Sequence, residues 1–311
     1  MTAAAAATEA LVFAFRWSGV PQLVGSTLTR RRVAILVYHD PPPEVLDRHL
    51  RFLRRRHAIV PLDLVADALH ARDWSRLPPR SVVVTLDDGH RGNFALLDVF
   101  GRHGATPTIY LCTGIVGTRR HFWWTVEGIA AEPLKRRPNE ERTALLERAG
   151  FAETAEHDDR QALTQAEVDA MVERVDFGAH TRFHPILTQC TEDRAREEIE
   201  RSTVEVAALT GQGCRHFSYP NGDHGPREVA LVRGAGCVSA RTIEMGWNGP
   251  KADPFRLRAI GVPDRASVNQ LAARLGGVLW LRERVRAASG HPLFRRRNLR
   301  PSPGESRSPL S

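Results

Sequence analysis

Ser81-Val82-Val83-Val84-Thr85-Leu86-Asp87-Asp88-Gly89-His90 decides how the rest of the chain reads. Its first six residues form a run rich in β-branched side chains, the pattern of a strand covered on both faces in a parallel sheet. The run ends on two adjacent carboxylates and a glycine. Acids at the carboxyl end of such a strand stand where α/β folds place their chemistry. Two neighbouring carboxylates repel, so burying both requires a cation, a shared proton or strong hydrogen bonds. A cation held by one acid, with the other left free as a base, meets that requirement. Asp-Asp-Gly is also sound turn chemistry, and alone the stretch fits a plain acidic turn as well.

A second constellation favours the cation. Val175-Asp176-Phe177-Gly178-Ala179 is a short strand-like run, and His180-Thr181-Arg182-Phe183-His184-Pro185 follows with two histidines four apart. Neutral imidazole is the commonest metal ligand, and two histidines plus one carboxylate leave positions open for water and substrate. Pro185 and the preceding glycine argue against a regular helix, so the pair wraps a loop or first turn.

With both motifs in hand, the chain resembles the polysaccharide deacetylases, the NodB-homology domain of carbohydrate esterase family 4. Thr85-Leu86-Asp87-Asp88-Gly89 is similar to the family's T-F-D-D-G with Leu for Phe, and His180-Thr181-Arg182-Phe183-His184 to its H-[ST]-x-x-H. The resemblance spans about residues 33 to 262. It implies an α/β fold, a distorted (β/α)7-type barrel of parallel strands. Around it the sequence adds a helical insertion and N- and C-terminal extensions.

Size agrees. A chain of 311 residues holds one α/β barrel of roughly 200–250 residues with extensions. Cys112, Cys190, Cys214 and Cys237 are scattered without C-x-x-C spacing and read as small buried hydrophobes. The net charge of +8 is uneven: residues 281–311 carry eight arginines against Glu283 and Glu305. That tail lacks interleaved aromatics and any nucleic-acid-binding signature, so no nucleic acid is expected as partner. No run is apolar enough for a transmembrane helix. Residues 3–24 are apolar-rich but carry Glu9 and Arg16 and lack a basic start and a clean cleavage site. They read as an amphipathic helix broken near Pro21, packed on the barrel or lying on a membrane surface.

Strands are expected at 33–39, 59–62, 81–86, 108–113, 216–219, 237–240 and 257–262, and helices at 46–56, 62–71, 93–103, 191–209, 227–234 and 268–281. Residues 119–174 read as an insertion over the barrel mouth, opening on Phe122-Trp123-Trp124, with Thr164 and Glu167 set as a capping box. The tryptophans suit either core or a sugar platform. The division expected is an extension at 1–30, a deacetylase domain at 31–270, and a final helix with a basic disordered tail at 271–311.

The resemblance implies roles for single residues. Asp88, His180 and His184 become ligands of a divalent cation, with Zn²⁺ expected, and Asp87 the general base. The family's R-x-P-Y-G falls on Ser218-Tyr219-Pro220-Asn221-Gly222, which makes the Asn221 amide the oxyanion donor and leaves Ser where the family has Arg. Arg258 is then the candidate to orient the base, with Arg91 behind it. The family's L-x-x-H, which supplies the acid, is found at Leu36-Val37-Tyr38-His39, as in the branch with permuted motif order that deacetylates poly-β-1,6-N-acetylglucosamine. His39 is therefore the expected acid, ahead of His224 and His121.

The expected function is removal of N-acetyl groups from a sugar of a polysaccharide or its precursor. Two alternatives stand beside it: a carbohydrate-binding relic of the fold, favoured by the missing arginine, and a hydrolase of another amide or ester. A polysaccharide substrate suggests the envelope, whereas a poor export signal and the basic tail suggest a cytoplasmic enzyme, or one peripheral to an anionic inner membrane face.

Overall fold

The computed structural model describes residues 29–277 and, of the N-terminal stretch, 9–10, 13–14 and 17–19. The basic tail lies outside the described residues. Eight strands follow in order: β1 (Ala34–Tyr38), β2 (Ala58–Ile59), β3 (Ser81–Leu86), β4 (Thr108–Leu111), β5 (Asp176–Ala179), β6 (His216–Ser218), β7 (Ser239–Met245) and β8 (Leu257–Gly261). All of their pairings are parallel. β1 pairs with both β3 and β8, so seven strands close into a ring and β2 hangs on the start of β3. Parallel closure requires helices between strands. These are α1 (Pro43–Arg54), α2 (Leu62–His70), α3 (Leu97–His103), α4 (Ala131–Leu134), α5 (Asn139–Arg148), α6 (Gln165–Met171), α7 (Glu192–Thr210), α8 (Pro226–Gly234) and α9 (Val268–Leu275).

Side chains sort by the period of two that strands impose. Ala34, Leu36, Tyr38, Val82 and Val84 join the larger core with Leu46, Leu50 and Leu53 of α1. Val33, Ile35, Val37 and Val83 turn the other way and meet Val65 and Ala68 of α2. Each fully buried leucine contributes about 1.5–3 kcal/mol. α2 seals the amino-terminal end of the ring: Asp63 takes hydrogen bonds from Arg215 and His216, at the start of β6, at 2.5 and 2.9 Å. The opposite, carboxyl-terminal end is left for chemistry.

Local signals behave as their chemistry dictates. Thr164 and Glu167 form the reciprocal capping box of α6, and Thr191 caps α7. Two elements differ from expectation. Arg91–Leu96 is a 3₁₀ turn and the α-helix begins only at Leu97. Asn93 is buried there and donates to the His39 carbonyl at 2.8 Å, which fixes the turn on the barrel. β7 runs on to Met245 with Ile243 and Glu244 exposed, so its second half carries no buried pattern. Among the described residues no helix is long and apolar enough to cross a membrane. Glu9 accepts hydrogen bonds from Ser267 and Asn269, both at 2.9 Å, at the first turn of α9, where an anion is favoured.

One pH effect follows from the frame itself. Burial holds the partly buried His57 imidazole down at about 4, against a hydrogen bond to Arg80 that pulls it up. The unfolded chain takes up that proton near pH 6.5 and the folded chain resists until about 4. Stability is therefore whole above pH 6.5 and falls as pH drops towards 4. Melting temperatures of His57→Gln across this range should show a shallower fall than wild type; parallel curves would refute the assignment.

Candidate metal centre and active site

Strand register gathers the candidate residues at one end of the ring. β3 ends beside β1, pairing Leu86 with Tyr38, so Asp87 and His39 emerge next to each other, and the Asp87 amide bonds the Tyr38 carbonyl at 3.0 Å. β5 ends with Ala179 level with Leu111, and the His180 amide bonds the Leu111 carbonyl at 2.9 Å. This close packing needs a bare Cα at Gly178, where a Cβ would come within 2.7 Å of the His216 carbonyl oxygen.

Asp88, His180 and His184 are buried, and one donor atom from each lies within 4.8 Å of the other two. Asp88 Oδ1 is 3.6 Å from His180 Nε2 and 3.8 Å from His184 Nε2. Those gaps are too long for hydrogen bonds and suit groups that share a cation. His180 Nδ1 lies 2.7 Å from the Ser218 carbonyl, so Nδ1 carries the proton and Nε2 presents its lone pair. Burial pushes the His184 imidazole down to about 3, the nearby His180 adding to this, which keeps it neutral as a ligand must be. Burial raises the Asp88 carboxyl, but the hydrogen bond from His90 and the charges of His184, His90 and His39 outweigh it, so Asp88 stays ionised. The donor set therefore fits a divalent metal ion.

The loop of the two histidines is held from behind. The buried Glu198 carboxylate of α7 accepts the Arg182 and Phe183 amides at 2.7 and 3.1 Å and pairs with Arg194 at 2.8 Å. Thr181 Oγ1 accepts the His184 amide at 3.0 Å. Asp88, Thr181 and His184 all have positive φ, at 74°, 66° and 55°. Non-glycine residues adopt that region at a cost and persist there where the surroundings hold them.

Asp87 stands beside this cluster, Oδ2 at 3.9 Å from His180 Nε2. The cation in contact with it is Arg241 and not Arg258. The Arg241 guanidinium, fully buried, donates to the Asp87 carboxylate and to Ser218 Oγ at 2.6 Å. Burial raises the Asp87 carboxyl, yet Arg241, then His180 and His39, hold it below the usual carboxylate range. Arg258 alternates outward on β8, its side chain 52 % exposed and 3.8 Å from Glu244. With Asn221 and Trp247 it lines an open groove of about 2740 Å³. Arg91 reaches the Arg160 carbonyl instead. Arg241 had a signal in the sequence: a charge directly after Cys237–Ala240, in the buried first half of β7, has to find a partner. In the parallel register of β6 and β7, Ser218 and Arg241 are direct neighbours. An arginine thus stands one strand over from Ser218, at the same level.

His39 is exposed at the mouth, with its amide bonded to Asp264 at 3.0 Å and its carbonyl to Asn93. Asn221 lies in a tight turn with φ 56°. His224 is buried against Tyr219 and bonded to the Gly222 carbonyl, and His121 stacks on His157 and pairs with Asp159. A residue the motif reading left aside, His90, contacts the outer oxygen of Asp88 at 3.2 Å.

Solved structures share this fold. IcaB from Ammonifex degensii is 20 % identical with a TM-score of 0.59, covering 79 % of this chain and 97 % of that one. The Streptococcus pyogenes deacetylase PplD, solved with acetate, is 17 % identical with a TM-score of 0.58, covering 78 % and 98 %. The BpsB deacetylase domain from Bordetella bronchiseptica is 15 % identical with a TM-score of 0.54, covering 75 % and 96 %. No curated protein matches the sequence. The sequence model of the family described as polysaccharide deacetylase matches residues 75–239, more than half of the chain. The chain belongs to the polysaccharide deacetylases of carbohydrate esterase family 4, metal-dependent hydrolases of N-acetyl groups.

Proposed function

We propose that Asp88, His180 and His184 hold a divalent cation, Zn²⁺ by the chemistry of two imidazoles and one carboxylate, and that the substrate is an N-acetylated oligo- or polysaccharide. The observation that carries this is the buried convergence of three ligand atoms with a fourth group, Asp87, ionised and clasped by Arg241 beside them. A cation held by Asp88, His180 and His184 would supply Lewis acidity towards water and the acetyl carbonyl. The chain's own residues do the rest. Asp87, oriented by Arg241, accepts the proton of the attacking water. The Asn221 amide, presented by its left-handed turn, donates to the oxygen on which charge develops. His39, held through its backbone by Asp264 and Asn93, gives a proton to the departing amine and leaves acetate as the second product. Acetate is the ligand in the Streptococcus pyogenes deacetylase structure, in keeping with that product.

Arg241 weakens the relic reading, because the one part that looked missing is present on the neighbouring strand. The division into an extension at 1–30, a catalytic unit at 31–270 with its insertion, and a tail at 271–311 belongs to this proposal, as does contact of the tail with an anionic membrane. Loss of liposome binding on deleting 282–311 is the result expected for the tail; unchanged binding would remove that part. The central test is acetate release from N-acetylglucosamine oligomers. Chelation should abolish it and Zn²⁺ restore it. Full activity after exhaustive chelation would sink the metal-dependent reading.

A further inference from the structure

Between β4 and β5 the chain makes the excursion that carries α4, α5 and α6. Trp123, Leu134, Leu146 and Phe151 form a small core of its own, apart from the barrel's. Yet the excursion grips both loops that carry the ligand atoms. Trp123, 2 % exposed, donates its indole Nε1–H to the His184 carbonyl at 3.0 Å. Arg142 covers the same ring at 4.8 Å from its centre. Trp124 lies against the His184 imidazole, ring centres 4.5 Å apart. On the other loop, Leu163 bonds the Gly89 carbonyl and Arg91 the Gln161 carbonyl, both at 2.9 Å, and Phe122 meets the His90 ring at 4.8 Å.

His184 is the residue with most to lose. Its φ of 55° places it in the left-handed region, and its amide and carbonyl are both tied, one to Thr181 and one to Trp123. Relaxing that backbone would swing the imidazole out of the cluster. The tie from Thr181 lies within the loop; the tie from Trp123 comes from a separate packing unit.

We infer that Trp123 is a positioning residue of the metal centre: its indole-to-carbonyl hydrogen bond holds His184 in place and couples the order of the excursion to cation binding. The inference rests on the reading of Asp88, His180 and His184 as ligands. Such coupling is reciprocal, so the cation must steady the excursion as much as the excursion steadies the cation. Groups that orient a ligand from behind are typically worth about 10- to 100-fold in metal affinity.

The test uses the full chain, stripped of metal and titrated with Zn²⁺ against a chromophoric chelator. Trp123→Phe keeps an aromatic ring and removes the donor. Its Zn²⁺ affinity should fall by about 10- to 100-fold. Hydrogen exchange on the wild type gives a second readout that needs no folded variant: Zn²⁺ should slow exchange at amides within 122–151 as well as at 180–187. In Trp123→Phe saturated with Zn²⁺, the slowing at 180–187 should persist and that at 122–151 should weaken. Wild-type affinity in Trp123→Phe, or no protection of 122–151 in the wild type, overturns the role of the indole alone. Failure of the wild type to bind Zn²⁺ overturns the ligand reading beneath it.

Discussion

Asp87→Asn releases acetate from N-acetylglucosamine oligomers about 10²- to 10⁴-fold more slowly than wild type, the range by which a positioned proton acceptor accelerates a reaction. The amide keeps the shape of the carboxylate and loses its basicity. Zn²⁺ affinity should hold, because Asp87 stands outside the three converging donors. The same substitution has a second cost. It strips the fully buried Arg241 of its counter-charge, and breaking a buried pair by removing one partner is worth about 3–5 kcal/mol. Urea denaturation of the metal-free protein reads that loss, and chelator competition reads the affinity. Equal turnover by the two enzymes would remove Asp87 from the chemistry.

Arg241→Met carries the second large effect. The carboxylate of Asp87 is left buried with its main cation gone, so its pKa rises and its orientation loosens. Stability should drop by about 3–5 kcal/mol, and a base displaced by about 1 Å should cost about 10²-fold in acetate release. Arg241→Lys restores charge without the planar fork and should recover stability better than turnover. Arg258→Ala, at an exposed pair with Glu244, should stay within about 0.5 kcal/mol of wild type and keep most of its activity. Asp87→Asn combined with Arg241→Met should be more stable than the sum of the two losses, because the pair is then gone entirely. Strict additivity, or an Arg258→Ala enzyme as impaired as Arg241→Met, would contradict the assignment.

What could be read from the sequence was what lies local in it. The β-branched run before Asp87, the adjacent acids and the two histidines of 180–184 each sit within a handful of residues, and short-range patterning exposes them. Arg241 lies outside the linear motif, and its relation to Ser218 exists only through strand register. Arg258 is the second residue of β8, at the strand's start, and its side chain turns outward; strand position alone does not say which way a side chain turns. The bond from Trp123 to His184 was equally out of reach, since it joins two segments 61 positions apart through an excursion whose packing no periodicity encodes. The 3₁₀ turn at Arg91–Leu96 was masked by apolar residues that suit either helix type.

A closed ring of seven parallel strands has no first member. β1 touches β3 on one side and β8 on the other, so His39 faces neighbours far apart in sequence, Asp87 just after β3 and Asp264 just after β8. Bearing around the mouth, not rank along the chain, fixes which wall of the cleft a side chain occupies. The same geometry sets Arg241, level with Ser218 but one stave over, against the Asp87 carboxylate, a neighbourhood that position along the chain does not disclose.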